Sequence, residues 1–120
     1  MTEKPAVSDD PMYRLLRDGA FKEFNDRKAK GEAARLRGCD FSGMDLRGMD
    51  ADGLDLRDGF FHESDLRGVD LRKASLEGAS IHGAKIAGAY FPSELSPDEI
   101  ELSLEHGTRL RYEKRAADSG

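Results

Sequence analysis

The chain has 120 residues and carries 38% apolar and 36% charged side chains, with 19 basic against 24 acidic groups and a net charge of −5. Six Phe, three Tyr and no Trp in one domain's length exclude a large conventional core, and the acidic balance argues against a general nucleic-acid binder. The single cysteine, Cys39, excludes an internal disulfide or a thiolate metal cluster, and no apolar run approaches the roughly 20 residues needed to span a bilayer.

The first predicted segment, 1–33, is a tail followed by a helical cap. The opening MTEKPAVSDD lacks the basic start and apolar stretch of a secretory signal, so the expected setting is a reducing, bacterial-type cytoplasm. Residues 1–9 are expected to fray. Asp10-Pro11 reads as a helix N-cap and first helical residue, followed by Met12, Leu15 and Leu16 at helical spacing. Asp18-Gly19 breaks that helix. A second helical set carries Phe21 and Phe24, stops near Gly31, and is expected to lie as a lid on the segment that begins at Ala34.

From Ala34 to Ser93 the chain divides without insertion into twelve blocks of five. The block centres are Leu36, Phe41, Leu46, Ala51, Leu56, Phe61, Leu66, Leu71, Leu76, Ile81, Ile86 and Phe91, so eleven of twelve are Leu, Ile or Phe. The first place is mostly small or apolar, the second and fourth are mostly polar, and the fifth is Gly in eight blocks. A helix would swing every fifth residue by about 140° and scatter the centres around its circumference. A continuous strand would send successive centres to opposite faces. A short extended stretch followed by a corner fits: the first and third places then share the inner face, and Gly at the fifth place turns the chain. Cys39 falls at an inward first place and reads as a small packed hydrophobe. Leu54 breaks the small-first-place rule.

Blocks such as Met44-Asp45-Leu46-Arg47-Gly48, Ser64-Asp65-Leu66-Arg67-Gly68 and Val69-Asp70-Leu71-Arg72-Lys73 resemble the pentapeptide-repeat family, with its consensus A-(D/N)-L-x-x. The resemblance covers residues 34–93 and implies a mainly β fold, a right-handed quadrilateral β-helix with four blocks per coil and three coils in all. With rungs about 4.8 Å apart, that stack is roughly 15 Å tall. Columns of residues 20 apart should then stack: Leu36, Leu56 and Leu76; Phe41, Phe61 and Ile81; Leu46, Leu66 and Ile86; Ala51, Leu71 and Phe91. Bulk is compensated within blocks, Ala51 beside Met49 and Phe61 beside Gly59.

The last segment, 94–120, is predicted to hold a capping helix, a short arm and a tail. Ser96-Pro97-Asp98-Glu99 has the form of a capping box with Pro at the first helical place, and the helix should run to about His106 with Gly107 as its stop. Ile100 and Leu104 share a face. Thr108 to Tyr112 alternates polar and apolar, as a short strand or arm, and residues 113–120 are expected to fray. Whether this piece caps its own coil or pairs with a second copy as a homodimer stays open at this point.

Candidate chemistry is sparse. Asp45, Asp55, Asp65 and Asp70 each precede an Arg by two residues (Arg47, Arg57, Arg67, Arg72), which reads as a solvated face of exposed ion pairs. Asp50, Asp52, Asp55 and Asp58 crowd one corner where a divalent cation could bind, although the spacing matches no calcium loop. His62 and His82, 20 apart, should stack, but no third ligand accompanies them. Phe60 must point outward because Phe61 points inward, so Phe60, His62 and His82 form a candidate protein-interaction patch unless a terminal helix covers it. No phosphate loop and no catalytic, cofactor-binding or metal site is predicted.

The resulting expectation is a non-enzymatic scaffold that binds another, unidentified protein through a wall of the β-helix or its terminal helices, with no cofactor, no direct nucleic-acid contact and no membrane contact. The family resemblance also implies an alternative, a DNA mimic that modulates DNA gyrase. Against it, residues 34–93 mix ten acidic with eight basic side chains, whereas a duplex presents about one negative charge per 1.7 Å.

Overall fold

The computed structural model describes residues 8–113. Three helices are formed: α1 (Pro11–Arg17), α2 (Phe21–Ala29) and α3 (Pro97–His106). Asp10 starts α1, its Oδ1 accepting from the backbone N–H of Met12 at 2.8 Å and Tyr13 at 3.3 Å, and Pro11 occupies the first turn where no donor is needed. The chain breaks at Gly19, where φ is +74°, before α2 begins. The faces turned inward carry Met12, Tyr13 and Leu16 from α1 and Phe24 from α2. Tyr13, which spacing alone did not single out, packs its ring 5.7 Å from that of Phe41.

Between the helices the chain returns alongside itself every 20 residues. Isolated parallel bridges join Asp40 to Phe60, Phe60 to Ser80, Asp45 to Asp65, Asp65 to Lys85, Asp55 to Ser75 and Asp70 to Tyr90. Each bridge has a paired set of bonds: Phe41 N–H donates to Phe60 O at 2.7 Å, and Phe60 N–H donates back to Cys39 O at 3.0 Å. Of the expected mainly β fold, the parallel bridges are present, but no regular strand forms among the described residues and the helices are the only continuous elements there. The reason is geometric. A corner every five residues leaves each extended stretch too short to build consecutive ladder bonds, so pairing survives as single rungs.

The corners explain the glycines. At each one, from Leu36 to Ile86, the carbonyl of a block centre accepts from the N–H of the next block's first residue at 2.9–3.2 Å. The fifth-place residue sits between them, third in a four-residue turn; a type II turn requires positive φ there, and every such residue from 38 to 88 except Lys73 has it. Gly53 (+77°) and Gly68 (+74°) are typical, and Asp58 (+60°) and Glu63 (+58°) take the same conformation at a steric cost.

The block centres form the core. Leu36, Phe41, Leu46, Ala51, Leu56, Phe61, Leu66, Leu71, Leu76 and Ile81 are all buried, whereas Ile86 and Phe91 are only half-buried. Burial of each Leu or Phe contributes about 1.5–3 kcal/mol. Phe41 and Phe61, 20 apart, stack with ring centroids 4.7 Å apart and planes 12° from parallel. Gly59 makes room for that stack, since a Cβ there would lie 2.9 Å from Phe61 Cε2. Met49 is buried beside the small centre Ala51, and Leu54 is buried without disturbing its corner bond, Leu54 N–H to Ala51 O at 3.1 Å. Burial also pushes the Cys39 thiol up, away from the thiolate a nucleophile would need.

Both ends of the stack are closed by side chains that take the place of a missing neighbour. At the first circuit, Asp50 N–H donates to Asn25 Oδ1 (2.9 Å), Asn25 Nδ2 donates to Gly48 O (2.9 Å) and the Tyr13 hydroxyl donates to Asp40 O (2.6 Å). At the last circuit, Leu76 N–H donates to the Tyr112 hydroxyl (2.8 Å) and Ile81 N–H to Ser103 Oγ (3.0 Å). The carbonyls of Leu110 and Leu104 accept from Gly78 and Gly83. Residues 108–113 therefore run as an arm against the repeats rather than as a strand.

Ser96 caps α3 by accepting from Glu99 N–H at 3.1 Å, and Gly107 ends it at φ +72°. The capping box is only half made. The Glu99 carboxylate turns instead to the arm, where Arg111 N–H donates to its Oε1 at 3.0 Å. The frayed ends expected at 1–9 and 113–120 lie mostly outside the described residues. Within them, Asp10 N–H donates to Ser8 Oγ at 2.9 Å and Glu113 N–H to Glu94 O at 2.8 Å, so Ser8 and Glu113 are tied down.

Candidate protein-interaction surface

Block Gly59-Phe60-Phe61-His62-Glu63 sends Phe61 into the core and Phe60 and His62 to the outside. The structure brings the three expected residues together. The ring centroids of Phe60 and His62 are 5.4 Å apart, and those of His62 and His82 are 5.8 Å apart, both edge-to-face. His82 is exposed, and Phe60 and His62 are half-buried.

Sequence reasoning missed two members of this surface. Ser80, in the same column as Phe60, is buried. Its hydroxyl donates to Gly107 O at 2.9 Å and lies 2.9 Å from His62 Nε2. Having one proton, which goes to Gly107, it accepts from His62, which fixes that ring with hydrogen on Nε2. Arg109 is the second: its guanidinium lies 5.7 Å from the Phe60 centroid and 3.6 Å from Asp58 Oδ1. The guanidinium over Phe60 thus comes from the arm. Of these two, Ser80 carried one signal in the sequence, its 20-residue spacing from Phe60, but its burial depends on the path of the chain after Gly107.

The other candidates separate. His106 is exposed on α3 with its Nε2 3.7 Å from Glu105. The acidic corner does not converge: Asp50 faces Lys28 at 3.3 Å, Asp55 is paired with Arg57 and Asp58 with Arg37 at 3.2 Å. Asp52 N–H donates to Asp50 Oδ1. Among the described residues no group of three or more His, Cys, Asp or Glu is placed to hold a metal ion, and no helix is long and apolar enough to cross a membrane.

The Asp–Arg pairs are better organised than a loosely solvated face. In each, Arg Nε and Nη2 donate to the two oxygens of the Asp two residues earlier, at 2.7–3.0 Å, and the Arg backbone N–H donates to the same Oδ1. Arg72 holds the Asp70 carboxyl at about 2. Arg67, with Arg47 a further neighbour, holds Asp65 well below the usual carboxylate range. A carboxylate so held is a poor proton acceptor near neutral pH.

Twenty-residue bridging, a core of block centres and glycine corners define a repeat protein. A model described as Pentapeptide repeats matches residues 32–68 and 61–91 in eight copies, and the chain belongs to the pentapeptide-repeat family. Neither a curated protein nor a solved structure matches the chain significantly.

Proposed function

We propose that the chain is a non-enzymatic scaffold that presents the Phe60–His62–His82 surface, bordered by Arg109, to another protein. In this reading residues 34–93 form a right-handed quadrilateral β-helix of three coils, between a helical cap at 1–33 and a cap-and-arm at 94–120. The 20-residue register of the bridges supports the coil. The observation that carries the function is the aromatic cluster itself. Second and fourth places elsewhere in the repeats hold mostly polar residues, yet here three rings sit edge to face on the outside, with a guanidinium over the first. Aromatic and Arg side chains are the groups that anchor protein interfaces.

Crosslinking in cells with the wild-type chain and a Phe60→Asp variant tests this. The expected result is a defined partner that the variant loses while its thermal midpoint is retained; identical crosslinks from both chains would overturn the proposal. DNA mimicry is the weaker reading, because bidentate pairs with arginines neutralise four of the ten acidic residues of 34–93 and mix the signs along the repeats. A gyrase supercoiling assay altered by micromolar protein would replace the proposal with it.

A further inference from the structure

The C-terminal cap closes only half of the last circuit. Leu76 and Ile81 N–H find hydroxyls on Tyr112 and Ser103, and Gly78 and Gly83 find carbonyls on the arm and α3. On the next side the equivalent groups are open. One circuit earlier, Leu66 N–H donates to Lys85 O, Lys85 N–H donates to Ser64 O and Gly68 N–H donates to Ala87 O. Twenty residues on, Ile86 N–H, Ala84 O and Gly88 N–H have no partner among the described residues. The apolar column stops short in the same place: Leu46 and Leu66 are buried, Ile86 is half-buried, and it lines an open groove with Ala89, Phe91, Pro97, Ile100 and Leu104.

We propose that this edge takes an extended segment of a partner protein as an added parallel rung. The proposal rests on the reading of the chain as a protein-binding scaffold but uses a different face from Phe60. Backbone geometry sets the register: one residue of the segment would bond both Ala84 O and Ile86 N–H, as Lys85 does to Ser64 and Leu66. Its own side chain would lie beside Lys85, where a cation is disfavoured, and the next residue, apolar, would stack on Ile86. Charge completes the specification. Glu101 lines the groove and is flanked on the outer face of α3 by Asp98 and Glu105, so the segment carries Lys or Arg on either side of its apolar residue. Unpaired edges with adjoining side-chain pockets are the usual setting for such strand addition.

The test uses the full chain and an acetylated, amidated heptapeptide, Lys-Ala-Ser-Leu-Lys-Gly-Lys, with amide exchange followed residue by residue. At about 1 mM peptide, exchange at Ile86 and Gly88 should slow by about tenfold while other amides hold their rates. N-methylation of the peptide's Ser should abolish the effect, and Glu101→Lys should weaken binding by about fivefold. Phe60→Asp should leave it unchanged, so failure here is distinguishable from failure of the Phe60 surface. The proposal is overturned by no protection, by equal binding of the methylated peptide or of the Glu101→Lys chain, or by a solution mass of two copies with both amides already protected.

Discussion

The Asp58 carboxylate occupies the space beside Gly78 that a methyl group there would need, while Asp58 itself holds a left-handed φ of 60°. A non-glycine corner is thus tolerated on one circuit because the corner 20 residues later is glycine. At Gly53, where φ is +77°, a Cβ would meet nothing within 4 Å. Gly53→Ala should cost about 1–2 kcal/mol, the left-handed penalty alone. Gly78→Ala should cost roughly 0.5–1 kcal/mol more, because Asp58 must swing away from Arg37 and Arg109. Urea midpoints at constant m-value measure both, and in an Asp58→Gly background the difference should vanish.

Gly59 is needed for a different reason, since its φ is not positive and the constraint is Phe61 at 2.9 Å. Gly59→Ala should destabilise by about 1–3 kcal/mol through overpacking. Adding Phe61→Leu should recover part of that loss, and a double-mutant cycle showing strict additivity would refute the coupling.

Tyr112 closes the stack with its hydroxyl on Leu76 N–H. Burial raises its pKa, which keeps the phenol neutral. Tyr112→Phe keeps the ring and strands the Leu76 donor, for an expected loss of about 1–3 kcal/mol. Amide exchange at Leu76 should accelerate beyond what the global loss accounts for.

The Asp–Arg pairs predict an acid response of definite sign. Folded-state values for Asp45, Asp55, Asp65 and Asp70 lie below the ordinary aspartate value because each accepts from its Arg. Their stabilisation is therefore complete above about pH 4 and declines as pH falls through the folded values. The Asp70 carboxyl carbon should titrate in NMR with a midpoint at about 2. In Arg72→Gln that midpoint should rise towards the ordinary value.

The sequence carried the periodic part of this architecture plainly. Leu36 to Ile81 point inward as the spacing required, and Asp10, Ser96 and Gly107 mark helix ends as their chemistry demands. Non-periodic contacts were hidden. Asn25 on Asp50, Ser103 on Ile81 and Tyr112 on Leu76 join residues 22 to 36 apart, and no local pattern announces such a bond. The five-residue period showed how close the corners lie, but not that pairing among the described residues would reduce to single bridges with no regular strand. For the candidate surface, the column spacing located Phe60, His62 and His82, whereas Ser80 and Arg109 entered through the path of the arm after Gly107.

The bridges that tie each residue to the one 20 positions along also govern how such a chain can change length. Inserting one residue between 34 and 93 would bring every later centre out of line with its predecessor. Duplicating a 20-residue segment would preserve every alignment, so growth by whole turns is the route this architecture leaves open.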